Sequence, residues 1–234
     1  YKVAPVIICN VLDPTVHTAA YTETITVENG VAVSEKYGVL LDSLKVQSGE
    51  ADLASDLDYT ADFDDEGRLV VTVLKDGVST LNLTGNMLAP EKVTTSNVIG
   101  SYDAGTGVES GIELVRKVYP VFGLAPGLLI APGWSHKPEV GLALAEKSMS
   151  INGAFHCENI VDIDTEKAPK YTDVTSVKNE CGFTSEHTVA VWPMVQCGGK
   201  MVYYSAVYAA MTCYTDYENG SVPSLSPSNK ELKI

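Results

Sequence analysis

The sequence predicts an α/β chain, a mainly parallel sheet with flanking helices, carrying an inserted small antiparallel β domain. Three observations predict it. Outside residues 15–104, continuous apolar runs alternate with segments of helical period. Inside that segment the runs are shorter and alternate apolar with polar, as half-buried strands do. Charge divides at the same places: residues 15–104 hold 15 acidic and 5 basic side chains, net −10, and the rest hold 15 and 11, net −4.

Each element follows in turn. "APVIICNVLD" is read as a strand buried on both faces, the first strand of the α/β layer, within residues 1–14. In the β domain, "TETITV" and "VAVS" flank Asn29-Gly30, and "DYTADF" and "RLVVTVL" flank an acidic tip. Tyr59, Ala61 and Phe63 alternate, as do Leu69, Val71 and Val73, so each strand is expected to bury one face. Asn29-Gly30 and Asp76-Gly77 are hairpin-type turns, and "VSTLNLTG" supplies a further strand. Asp13-Pro14 and Gly105-Thr106-Gly107 are the expected hinges. Residues 105–234 resume the α/β pattern: strand "PGLLIAP", helix from about Pro138 to Ser150, and strand "GAFHCENIVDID". A weaker helix in "APKYTDVTSVKNEC", strand "HTVAVWPMV", and a strand end or helix closing at Asn219-Gly220 complete it.

Composition excludes some roles. A formal charge of −14 repels phosphate backbones and anionic lipid surfaces, so neither nucleic acid nor membrane insertion is expected. No basic segment precedes an apolar one as a signal peptide requires, and the run Val202–Cys213 is too short to span a bilayer. The five cysteines are odd in number and scattered, with no C-x-x-C pair, and read as reduced thiols of a cytosolic chain. The sequons at Asn82 and Asn219 are short, common matches and are discounted. The start at Tyr1, directly on an apolar strand pattern, reads as a piece of a longer protein.

"APGWSHKPEVGLALAE", residues 131–146, sets a serine beside a histidine between a strand and a helix. A hydrolase would use Ser135 and His136 with a carboxylate such as Asp162. Adjacent residues on one turn rarely make the serine–histidine bond, however. The nucleophile elbow G-x-S-x-G also fails, because Lys137 stands where the second glycine belongs. As a helix entrance the same letters fit better. Gly133 turns the chain, Trp134 anchors it, Pro138 occupies the first turn, and Glu139 and Lys147 complement the helix dipole. Val140, Leu144 and Ile151 form the buried stripe, and Asn152-Gly153 ends it. His17, His156 and His187 stand alone, without metal-ligand spacing.

Asp62-Phe63-Asp64-Asp65-Glu66-Gly67 resembles the start of a calcium loop, but Val73 occupies the twelfth position and the flanks are strands. A solvated hairpin tip is the better reading. Asp162 and Asp164 are expected to point to one side of a strand end, at the edge where α/β sheets often act. No phosphate-binding glycine loop accompanies them. The sequence therefore assigns no catalytic, cofactor-binding or metal residue.

Three stretches together carry a resemblance: "RKVYPVFGLAPGLLIAPGWSHKPEV" (116–140), "INGAFHCENIVDIDT" (151–165) and "TDYENGSVPSLSPSNK" (215–230), with "HTVAVWPMV" between the last two. In this order they resemble contractile phage tail sheath proteins. Val98-Ile99-Gly100-Ser101 and "DYTADFDDEGRL" are similar to the family's inserted β domain, so the resemblance covers essentially the whole chain. It implies a subtilisin-like α/β core without proteolytic activity, assembly with other sheath subunits in a helical array around the tail tube, and contraction that drives the tube through the host envelope. It further implies a virion tail location after assembly in the host cytoplasm. The family's C-terminal domain faces the tube, and it is expected to be missing here, leaving a fragment monomeric in isolation. Two other classes compete: the Ser135/His136 hydrolase, and a carbohydrate-binding module built on the β domain. The latter offers only Tyr21, Tyr37, Tyr59, Phe63 and Tyr102 for stacking.

Overall fold

The computed structural model of the chain describes residues 5–231, in two compact units. One is Leu12–Val93; the other joins the residues before Leu12 to those from Thr94 onward. The β unit thus starts and stops earlier than the expected 15–104. Moving the edges exchanges Asp103 for Asp13 and leaves the unit's net charge at −10.

The β unit contains β1 (Thr18–Thr26), β2 (Val31–Tyr37), β3 (Lys45–Ser48), β4 (Ala51–Asp52), β5 (Tyr59–Phe63), β6 (Arg68–Val73) and β7 (Thr80–Leu88). They form two antiparallel sheets, β1-β7-β3-β4 and β2-β6-β5. Tyr21, Ile25, Val46, Leu81 and Leu83 from the first sheet share one core with Ala32, Tyr59, Leu69 and Val71 from the second. Asn29 and Gly30 both adopt left-handed φ, 53° and 80°, the conformation a two-residue hairpin turn requires. The β5 alternation ends early. Tyr59 is buried and Ala61 half-buried, but Phe63 is 41% exposed at the strand end beside the acidic tip.

The second unit holds α1 (Thr95–Ile99), α2 (Val118–Phe122), β8 (Leu128–Ile130), α3 (Pro138–Met149), β9 (Glu158–Asp162), α4 (Val174–Glu180), β10 (Thr188–Val191), β11 (Val195–Cys197), β12 (Lys200–Val202) and α5 (Tyr204–Glu218). β8, β9 and β10 form a parallel sheet with β9 in the centre. β11 and β12 make a separate antiparallel pair. Ile160 of β9 packs with Val191 and with Ala209 of α5, whereas its neighbour Val161 packs with Val177 of α4 and with Phe183. Phe183 in turn abuts Gly141 of α3. Because successive strand residues point to opposite faces, α5 covers one face of the sheet and α3 with α4 the other.

Two expectations are corrected here. "APVIICNVLD" is not a strand in its described part: residues 5–13 belong to no strand, and Val6 and Ile8 are 69% and 84% exposed. Apolar β-formers make a strand only where an adjacent backbone takes up their N–H and C=O groups. Residues 1–4 of that expected strand lie outside the described residues. The Gly105-Thr106-Gly107 hinge lies inside the second unit, at the tip of a loop whose flanks Tyr102 and Glu109 bridge. The segment before it belongs there as well. Thr94 and Asn97 cap α1, with the Asn97 amide oxygen accepting the Thr94 N–H at 2.8 Å and its hydroxyl at 2.7 Å. Gly100, at φ +71°, lies so close to the Ser110 carbonyl that no side chain fits.

No helix among the described residues is long and apolar enough to cross a membrane.

Candidate functional site

The loop from β8 to α3 contains the residues with the strongest chemical suggestion. Ser135 and Trp134 donate their amides to the Ala131 carbonyl at 2.8 and 3.0 Å, closing a tight turn that Gly133 permits with φ +81°. Lys137 then accepts the first amides of α3, from Val140 and Gly141, each at 3.0 Å, and Pro138 begins the helix without an N–H to satisfy. The turn delivers the Ser135 side chain inward and leaves it fully buried.

Ser135 meets Asp162, not His136. Its hydroxyl donates to Asp162 Oδ2 at 3.0 Å, and its oxygen accepts the Asp162 backbone N–H at 3.0 Å. Asp162 is the last residue of β9, two beyond Ile160, and therefore faces α5. There its Oδ1 accepts the Ser205 amide at 2.9 Å and its Oδ2 the Ser205 hydroxyl at 2.6 Å. Tyr203, where α5 begins, provides no side-chain cap. The carboxylate of Asp162 fills that role from across the sheet edge, satisfying an orphan N–H at the positive end of the helix dipole. Three separate segments converge on one buried carboxylate whose two oxygens are both occupied. Hydrogen bonds to a charged group contribute about 1.5–3 kcal/mol each, so this is a mechanical joint.

His136 turns away from Ser135. Its ring lies parallel to that of Tyr203, with centroids 5.4 Å apart and planes at 11°. Its Nδ1 is buried with no hydrogen-bond partner. Burial holds the imidazole below its ordinary value; Asp164 and then Asp162 pull it up, while Lys137 and Lys167 push it down. A triad needs the histidine between serine and carboxylate, and here the serine bonds the carboxylate directly. Trp134, expected as the anchor, is only half-buried and carries the Lys137 ammonium 4.3 Å over its ring. Ser135 does the anchoring.

The remaining candidates are dispersed. Asp164 does not join Asp162: it lies past the end of β9, where its Oδ1 accepts the Glu166 amide at 2.9 Å in a turn. His187 pairs with Glu158 at the opposite end of β9, Nδ1 to Oε1 2.8 Å. Hydrogen bonding to Glu158 raises its pKa, against partial desolvation. His17 accepts the Asp13 amide in the β unit, and His156 is exposed. In the calcium-like stretch, Asp64 accepts the Arg68 and Glu66 amides at 2.8 and 3.0 Å and pairs with the Arg68 Nε at 2.9 Å. That is the wiring of a hairpin tip. No group of three or more His, Cys, Asp or Glu side chains suited to a metal ion occurs among the described residues. All five cysteines are free, and burial pushes the Cys157 thiol up to about 11, far from nucleophilic.

Ser205 and Tyr203 were missed by sequence reasoning. A serine in the first turn of a helix after an aromatic pair is a weak signal, because what it bonds lies 43 residues away.

The second unit is thus an α/β layer whose suggestive serine is committed to structure. The chain is 28% identical over 163 residues, 68% of its length, to the tail sheath protein of Burkholderia phage BcepMu. The match spans 34% of that protein, so the chain corresponds to about a third of its relative. No family profile matches the chain.

Proposed function

We propose that this chain is part of the structural subunit of a contractile phage tail sheath. The similarity to a phage tail sheath protein over two thirds of the chain carries the reading. The Ser135–Asp162–Ser205 joint agrees with it, because a subunit that transmits force needs rigid corners more than a reactive hydroxyl. In this reading the second unit is the subtilisin-like core, and the protein is not an enzyme. Its partners are further copies of itself, arranged helically around the tail tube, and its place is the virion tail after assembly in the host cytoplasm. Contact with the tube is assigned to sequence outside the aligned segment. Contraction then requires no catalytic residue, only two packings of the same subunits that differ in free energy, with the extended one trapped at assembly.

Electron microscopy of the protein expressed from its complete gene tests this. Helical tubes of uniform diameter, in a long narrow form and a short wide form, are the expected result. A product that stays monomeric at all concentrations and labels stoichiometrically with a fluorophosphonate overturns the reading.

A further inference from the structure

The Asp162 joint makes no use of His136, yet the fold packs that imidazole against the same helix end. Tyr203, on which the ring stacks, is the residue from which α5 starts. Gly133 brings the loop so close that a Cβ there would stand 3.4 Å from the Tyr203 ring. The buried Nδ1 has no partner, so a proton placed on it becomes a buried donor with nothing to receive it. The added charge also falls beside the positive end of α5, where cations are disfavoured.

The charges that act on the ring come from β9, the turn after it and the loop itself. Asp162 on β9 is already engaged by Ser135 and Ser205. Asp164, in the turn after β9, attracts a cation, while Lys137 on the loop itself and Lys167 beyond Asp164 oppose one.

We propose that His136 is a proton-operated latch on the start of α5: neutral, its ring seals the 131–137 corner onto Tyr203, and charged, it lifts away and frees that corner. The proton comes from solvent and no bond is broken. Acid therefore loosens the corner and the start of α5, with the Ser135 and Ser205 bonds to Asp162 opening more often, without unfolding the sheet. The latch belongs to this unit's own geometry and does not rest on the sheath reading.

Hydrogen exchange on the 234-residue chain tests it, at pH values about one and a half units on either side of the free imidazole value of about 6.5. After correction for intrinsic exchange, protection of 133–137 and 203–207 is expected to fall in acid. The fall is about tenfold for each pKa unit by which the folded histidine lies below the free one. His136→Phe keeps the stacked ring without the charge and is expected to hold its protection at both pH values. Unchanged protection in the parent chain, or an equal acid loss in His136→Phe, overturns the latch. If the variant fails to fold, proton NMR of the parent chain decides. The Tyr203 ring resonances must shift with the His136 midpoint, and that midpoint must lie below free imidazole; either failure overturns the proposal.

Discussion

The Asp162 carboxylate holds Ser205 twice, by its amide at 2.9 Å and by its hydroxyl at 2.6 Å. A strand end thereby caps a helix 43 residues away. Asp162→Ala leaves the hydroxyl protons of Ser135 and Ser205 and a helix-end N–H without their acceptor. The expected loss is about 3–5 kcal/mol, from several buried donors left unsatisfied at about 1–3 kcal/mol each. Urea denaturation measures it, and a loss under about 1 kcal/mol, the worth of one ordinary hydrogen bond, contradicts the joint.

Ser135 is expected to be inert. A fluorophosphonate should leave it unmodified in the folded chain, because its hydroxyl is fully buried and engaged by Asp162. Ser135→Ala should cost about 1–3 kcal/mol by leaving the carboxylate short of one donor. Intact-mass spectrometry after labelling decides, and a stoichiometric adduct at Ser135 would restore the hydrolase reading.

Gly141 is fixed by packing rather than by backbone angle. A Cβ there would overlap the Phe183 ring and come within 2.9 Å of the Ser135 carbonyl. Gly141→Ala should therefore destabilise by about 1–3 kcal/mol through overpacking, although alanine is the better helix former. An unchanged or raised melting temperature would show that α3 and Phe183 do not meet as described.

Two histidines should titrate on opposite sides of the free imidazole. Burial lowers His136, whereas the hydrogen bond to Glu158 raises His187. For His187 the stabilising contribution is fully present below the unfolded value of about 6.5 and is lost as pH rises through the higher folded value. For His136 the sign reverses: protonation favours the unfolded chain, so stability is lost as pH falls from that value toward the lower folded one. Glu158→Gln should bring the His187 midpoint down toward free imidazole, followed by NMR. A midpoint indifferent to that change rules out the pairing.

Much of the local structure was legible. Period-two alternation found β5 and β6, Asn29-Gly30 marked its turn, and Pro138 marked the start of α3 within a residue. These features depend on the chain's own neighbours. The expected first strand and the domain edges were not legible, since both depend on which backbone lies alongside. Residues 5–13 have strand-forming side chains but join no strand, and 94–104 packs into the second unit through its cap and Gly100.

The Ser-His pair shows the same division at the candidate site. By itself the sequence determined that residues 131–138 are a strand-to-helix corner, because a left-handed glycine and a first-turn proline restrict the backbone locally. It also named Asp162 as a carboxylate at a strand end. Only the tertiary structure decided that Ser135 bonds Asp162, that His136 turns to Tyr203 instead, and that Ser205 completes the joint. The reason is physical: hydrogen-bond partners are chosen by distance and burial in the packed state, and spacings of 27 and 43 residues leave no periodic trace in the chain.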